Sequence, residues 1–176
     1  MTDTDPGRGS RGSRLLAPGE DEATRSEIDR QYRDIFRAAR EAGQLVEPLY
    51  DGIRECLDGL LARGWTLGIA TGKADRGLAH CLATHELTGH FVTLQTADRH
   101  PSKPHPAMLE AALAEALADP AQAVMIGDTQ YDIAMAVNAG VRAIGVDWGY
   151  HTADELRQAG ATAVATSPAH LLELLG

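Results

Sequence analysis

The chain has 176 residues, 44% of them apolar, with a formal net charge of -9 and a pI near 5.1. That length and apolar content suit one domain able to bury a core without disulfides or metals to hold it together. The acidic balance, with no basic cluster after residue 42, excludes nucleic acid as a partner, and no apolar run approaches the roughly 20 residues of a membrane span.

Residues 1–22 are dominated by Gly, Ser, Arg, Asp and Pro, with Leu15-Leu16 as the one apolar pair, and read as a disordered tail. Over 23–43, Ile28, Tyr32, Ile35, Phe36 and Ala39 recur at helical spacing before Gly43, which predicts an amphipathic helix. Residues 44–50, with Pro48, read as a linker. Ile53, Leu57, Leu60 and Leu61 then predict one face of a second amphipathic helix. Beyond it, strands at 66–70, 91–95, 123–126, 141–146 and 161–165 alternate with helices at 76–87, 106–117, 131–138, 153–158 and 168–175. Strands alternating with helices, and apolar strands too short to distinguish two faces, indicate a parallel sheet covered on both sides, so the fold class is α/β, doubly wound. The organisation expected is a tail at 1–22, a helical segment at 23–43 and an α/β core at 44–176. Cys56 and Cys81 fall in separate helical patterns without C-x-x-C spacing, which implies reduced thiols and a cytoplasmic address.

In open parallel sheets ligands bind beyond the carboxyl ends of the strands, so the residues after each apolar run matter most. Gly127-Asp128-Thr129-Gln130-Tyr131-Asp132 follows the run at 123–126. Asp128 at the strand exit and Asp132 in the first helical turn can face one point, and hard carboxylate oxygens with room for water and phosphate suit Mg²⁺. The alternative is that Asp128 caps the helix and Asp132 complements its dipole. Thr71-Gly72 follows the strand at 66–70 and offers a hydroxyl and a backbone N–H to phosphate oxygens, although Thr at a helix start also serves as a plain cap. Lys73 beside them reads as an exposed loop residue. Lys103, between Pro101 and Pro104, sits in a stiff segment before a helix, where a fixed ammonium would neutralise a transferring phosphoryl group. His100, His105 and His151 lack the spacing of a transition-metal site and read as loop residues, with His100 or His105 placed to line the pocket.

Together these residues resemble three of the four signature motifs of the haloacid dehalogenase (HAD) superfamily, in its phosphoglycolate phosphatase-like branch. Leu67 to Lys73 resembles the second motif through Thr71, Ser102-Lys103-Pro104 the third, and Gly127 to Asp132 the G-D-x-x-x-D fourth. Val137-Asn138-Ala139-Gly140 and Trp148-Gly149-Tyr150 resemble the family's downstream pattern. The resemblance implies a HAD-like Rossmannoid core with 23–43 as the remnant of a helical cap. It also implies a Mg²⁺-dependent hydrolysis of a small phosphorylated metabolite such as 2-phosphoglycolate. Metal would fall to Asp128 and Asp132, and substrate phosphate to Thr71, Gly72 and Lys103. The first motif, a strand ending in D-x-D-G-T whose first Asp attacks phosphorus, has no counterpart. Asp3-Thr4-Asp5 follows only two residues, too few for a strand. That strand belongs between those at 66–70 and 123–126, so a gap with unpaired edges is expected there. Two functional readings follow: a phosphatase whose chain lacks its nucleophile strand, or a non-catalytic Mg²⁺ and phosphate binder, including a fragment that takes its missing strand from another chain.

Overall fold

In the computed structural model, which describes Thr24, Glu27, Gln31 and residues 48–176, the alternating apolar runs become five parallel strands with helices between them. The chain divides after Pro48 into two units, of which the second, Leu49–Gly176, carries these elements. In the first, Thr24, Glu27 and Gln31 are helical. The expected tail and the remainder of the 23–43 helix lie outside the described residues.

Helix α1 (Ile53–Ala62) starts after Gly52, whose φ of 81° is the left-handed conformation that glycine adopts without strain. Its inward stripe is Ile53, Cys56, Leu57 and Leu60, at positions i, i+3, i+4 and i+7. Leu61 departs from the sequence expectation: it is 38% exposed, because one residue past Leu60 turns it off that stripe by about 100°. Strand β1 (Gly68–Thr71) leads into α2 (Asp75–Thr84), then β2 (Thr93–Thr96) and α3 (Ala107–Ala116). Strand β3 (Val124–Gly127), α4 (Gln130–Asn138), β4 (Arg142–Val146), α5 (Ala153–Gln158), β5 (Ala163–Ala165) and α6 (Pro168–Leu174) complete the order. Every pairing is parallel. β1 pairs with β2 from Gly68↔Thr93 to Thr71↔Thr96, β3 with β4 from Val124↔Arg142, and β4 with β5 from Ile144↔Ala163.

The period of two along the strands sends alternate residues to opposite layers. Ala143 and Val164 pack with Met108, Ile133 and Leu156, on the side of α3, α4 and α5. Ile144, Val146 and Ala165 pack with Cys56, Leu60 and Leu171, on the side of α1 and α6. Leu78 and Leu82 of α2, with Leu87, cover Ile69 and Leu94 of the first strand pair. Helices thus cover both faces, and the doubly wound α/β expectation holds. Among the described residues no helix is long and apolar enough to cross a membrane.

The strands form two pieces, β1-β2 and β3-β4-β5. Between them lies a cavity of about 790 Å³, walled by β1 at Gly68 to Ala70, by β3 at Val124 to Ile126, and by apolar residues of α1, α3 and α6. Among the described residues β1 has β2 as its one partner and β3 has β4, so the edges facing this cavity carry no ladder.

Candidate functional site

Pairing is parallel within each piece: Thr71 and Thr96 end β1 and β2 side by side, and Gly127 ends β3. Lys103 reaches these strand ends from the segment between β2 and α3. Its ammonium donates to the Ala70 carbonyl at 2.8 Å and pairs with Asp132 Oδ1 at 2.5 Å. The two side chains are 17% and 8% exposed, so this is a largely desolvated ion pair. It joins the exit of β1 to the first turn of α4. The Lys103–Pro104 peptide bond is cis, and Asn138 Nδ2 holds the Pro104 carbonyl at 3.0 Å.

Asp132 has a second set of partners. Its Oδ2 accepts from Thr129 N at 3.1 Å and from Thr129 Oγ1 at 2.7 Å, while Asp132 N returns a bond to Thr129 Oγ1 at 3.3 Å. Thr129 and Asp132 therefore form a capping box, and the cap of α4 is Thr129 rather than Asp128. The T-x-x-D spacing carried that signal, which the sequence reading passed over in favour of the two aspartates. Thr129→Ala should lower stability by about 1 kcal/mol, measured by urea unfolding. A loss within error of zero would show that the box adds nothing to the helix.

Asp128 follows β3 and is half-buried. A backbone clasp holds it: Tyr150 N donates to its Oδ2 at 3.2 Å, and His151 N to its carbonyl at 3.1 Å. Two glycines make room for the aspartates. A Cβ on Gly127 would stand 2.2 Å from Asp132 Cβ, and one on Gly149 would stand 2.2 Å from Asp128 Cβ. His151 Nδ1 accepts from Gln130 N at 3.1 Å, and its ring lies 6.1 Å from that of Tyr131. Sequence reasoning kept His151 as a plain loop residue. Its place beside the first turn of α4 comes from the fold of residues 148–151, which has no local signature.

Thr71 Oγ1 accepts from Lys73 N at 3.2 Å, closing a turn, and α2 begins only at Asp75, so Thr71 is not a helix cap. Gly72 is exposed at the same turn. Lys73 is half-buried rather than exposed, with its carbonyl accepting from Ala97 N at 3.2 Å. His100 turns inward, to Gln95 Oε1 at 2.8 Å. The Gln95 amide in turn donates to Thr93 Oγ1 and Glu115 Oε2, so a buried polar network anchors the start of the Lys103 segment. His105 folds back onto the start of α3, where its Nδ1 accepts from Ala107 N at 3.2 Å.

Around the exits of β1 and β3 the Lys103 ammonium is paired with Asp132, while Asp128 accepts a backbone N–H. Asp128 Oδ1 has no protein donor among the described residues, whereas both oxygens of Asp132 are engaged. No group of three or more His, Cys, Asp or Glu side chains suited to a metal occurs among the described residues. This donor set fits Mg²⁺, which takes one or two carboxylates and completes its shell from water and phosphate, better than it fits a metal needing a full protein cage.

Asp75 adds a second polar cluster at the same edge. Its carboxyl lies below the usual carboxylate range, held there by hydrogen bonds from Thr96, at 2.6 Å, and Arg99, at 3.0 Å. A folded value below the unfolded one gives stabilisation that is complete above the unfolded value and is lost as pH falls through the folded value. Thermal midpoints should therefore fall as pH drops below about 4, and Thr96→Val should shrink that acid-side loss. An unchanged acid slope in the variant would refute the assignment.

Comparisons with known proteins agree with this architecture. The family model described as haloacid dehalogenase-like hydrolase matches residues 15–146. A probable phosphatase, IndB, from Dickeya dadantii (strain 3937) is 40% identical over 152 residues, 84% of this chain and 64% of that protein. A phosphoglycolate phosphatase from Vibrio vulnificus (strain YJ016) is 29% identical over 151 residues, 85% of this chain and 66% of its own length. The chain thus spans about two thirds of these curated relatives. The crystal structure of a predicted phosphatase from Clostridium acetobutylicum superposes with a TM-score of 0.81 at 27% identity, covering 95% of this chain and 76% of that one. On the match to three-quarters of its length, and on the fold and edge residues just described, the chain belongs to the haloacid dehalogenase-like hydrolase family.

Proposed function

We propose that this chain carries the phosphate-binding and metal-binding half of a cytoplasmic, Mg²⁺-dependent phosphatase acting on a small phosphate monoester such as 2-phosphoglycolate. The observation that carries the reading is the bridge from Ala70 O through Lys103 to Asp132, which fixes an ammonium between the exits of β1 and β3. The Thr71 hydroxyl and the Gly72 N–H would take two phosphate oxygens, and Lys103 would offset the charge that builds on the third. Asp128 would hold Mg²⁺, with Asp132 behind it orienting Lys103 and the start of α4. Bound there, Mg²⁺ would supply electrostatic stabilisation of the phosphoryl oxygens. No attacking carboxylate is assigned among the described residues.

The test is phosphate release from 2-phosphoglycolate and a panel of small monoesters by the full-length gene product, with Mg²⁺ or with a chelator. Release should require Mg²⁺, and Asp128→Ala should lower it on the order of 10²-fold. Undiminished Mg²⁺-dependent release by that variant would end the assignment. A second reading, binding of Mg²⁺ and phosphate without turnover, draws support from the cavity between β1 and β3. Calorimetric binding with no release would favour it.

A further inference from the structure

Helix α4 takes hold of the Lys103 segment at two points. Asp132, in its first turn, receives the ammonium at 2.5 Å, and Asn138, its last residue, donates from Nδ2 to the Pro104 carbonyl at 3.0 Å. The two residues lie about 9 Å apart along the helix axis. The head of the Lys103 side chain and the backbone beside its root are thus tied to one rigid element. Residues 97–106 run between β2 and α3 as turns, with neither helix nor strand bonding, so tethers of this kind set where the lysine starts. The helix itself gives little reason for an asparagine at 138. That position is exposed, asparagine is a weak helix former, and α4 is already closed by Gly140, with φ 68° and its N–H on the Val137 carbonyl. What asparagine adds is an amide donor that reaches a carbonyl on the neighbouring segment.

We infer that Asn138 is a positioning residue for the Lys103 ammonium. By fixing Pro104 it anchors the root of the lysine stem, so that Nζ stays on the Ala70 carbonyl and the Asp132 carboxylate. A lysine stem is flexible, and anchoring its root narrows the space that its head can search. Asn138 acts through Lys103 and through Pro104, its bonded neighbour. The use of this ammonium on a phosphoryl group rests on the phosphatase reading, whereas the hold that Asn138 has on it does not.

Lys73 and Lys103 are the two lysines of the chain, so one labelling experiment compares them within the same molecule. The 176-residue protein is treated with a trace of acetic anhydride under native conditions, and acetylation at each lysine is read by mass spectrometry. An ammonium must leave its acceptors and shed a proton before it reacts, so the ratio of Lys103 to Lys73 labelling reports how firmly Nζ is held. In Asn138→Ala that ratio should rise about three- to tenfold, the size of one lost hydrogen bond. The urea midpoint should change little, because the better helix propensity of alanine offsets the lost exposed bond. Asn138→Gln, which keeps the amide, should recover most of the change, and Val137→Ala, at the neighbouring exposed position, should leave the ratio at the parent value. A role in stability alone would lower the midpoint or quicken both lysines together. An unchanged ratio in Asn138→Ala, or no recovery in Asn138→Gln, would overturn the inference. Inorganic phosphate separates it from the phosphatase reading. Slower labelling of Lys103 in the parent with phosphate present supports that reading, and absence of such protection counts against it, while the ratio measured without phosphate still decides on Asn138.

Discussion

Asp132→Ala and Lys103→Met should each destabilise the fold by about 3–5 kcal/mol, and the double variant should lose clearly less than their sum. Each single change removes one charge of a largely desolvated pair and leaves the other in place. The two should not be equal. In Lys103→Met the Asp132 carboxylate keeps its bonds from Thr129 N and Oγ1, which places the cost near 3 kcal/mol. In Asp132→Ala the capping box is lost as well, which moves the cost toward the upper end even though the Lys103 ammonium retains the Ala70 carbonyl. Urea unfolding of the four proteins in the cycle measures this. Additivity within about 0.5 kcal/mol would mean that the charges do not sense each other.

Leu156→Ala should cost a further large amount, about 3 kcal/mol, and the loss should be partly repaired by Gly145→Ala in the same molecule. Leu156 is fully buried in α5 and packs on β4, where a Cβ at Gly145 would stand 2.9 Å from its Cδ1 and 3.1 Å from its Cβ. Gly145 is thus flat to admit the leucine. In the parent protein Gly145→Ala overpacks the contact and should destabilise by about 1–3 kcal/mol. Once Leu156 is cut back to alanine, the 2.9 Å contact with Cδ1 is gone, while those with the Cβ of residue 156 at 3.1 Å and Val164 Cγ2 at 3.3 Å remain, so the repair is partial. Thermal unfolding of both single variants and the double one decides the point. A double variant worse than Leu156→Ala alone would show that the cavity forms elsewhere.

The strand and helix order was legible because period and composition act locally. The short apolar runs around 123–126 and 141–146, bounded by turn residues, read as strands, and Gly140, with φ 68°, ends α4 where its spacing says it should. The positions of Thr71, Lys103, Asp128 and Asp132 at strand exits could also be read, since parallel topology sends every exit to one edge. What each carboxylate touches could not. Asp128 is held by the N–H groups of Tyr150 and His151, and a backbone donor leaves no mark in the sequence. The network of Thr93, Gln95, His100 and Glu115 joins residues from a strand, a loop and a helix, so only the assembled fold reveals it. Leu61 was misplaced because a run of leucines offers two overlapping helical stripes, and tertiary packing chooses between them.

The seam between the two strand pieces is fastened differently at its two levels. In depth, side chains of α3 reach both pieces, with Leu109 and Leu113 in a cluster that also takes in Ala70 and Met125. At the edge, an ammonium is shared between Ala70 and Asp132, beside the bond from Asn138 to the Pro104 carbonyl. An anionic guest that drew Lys103 toward itself would compete with both of those acceptors. Capture of the guest and stiffness of the seam would then draw on the same three protons of one amine, and the protein would be most pliant at the moment its ligand is most firmly held.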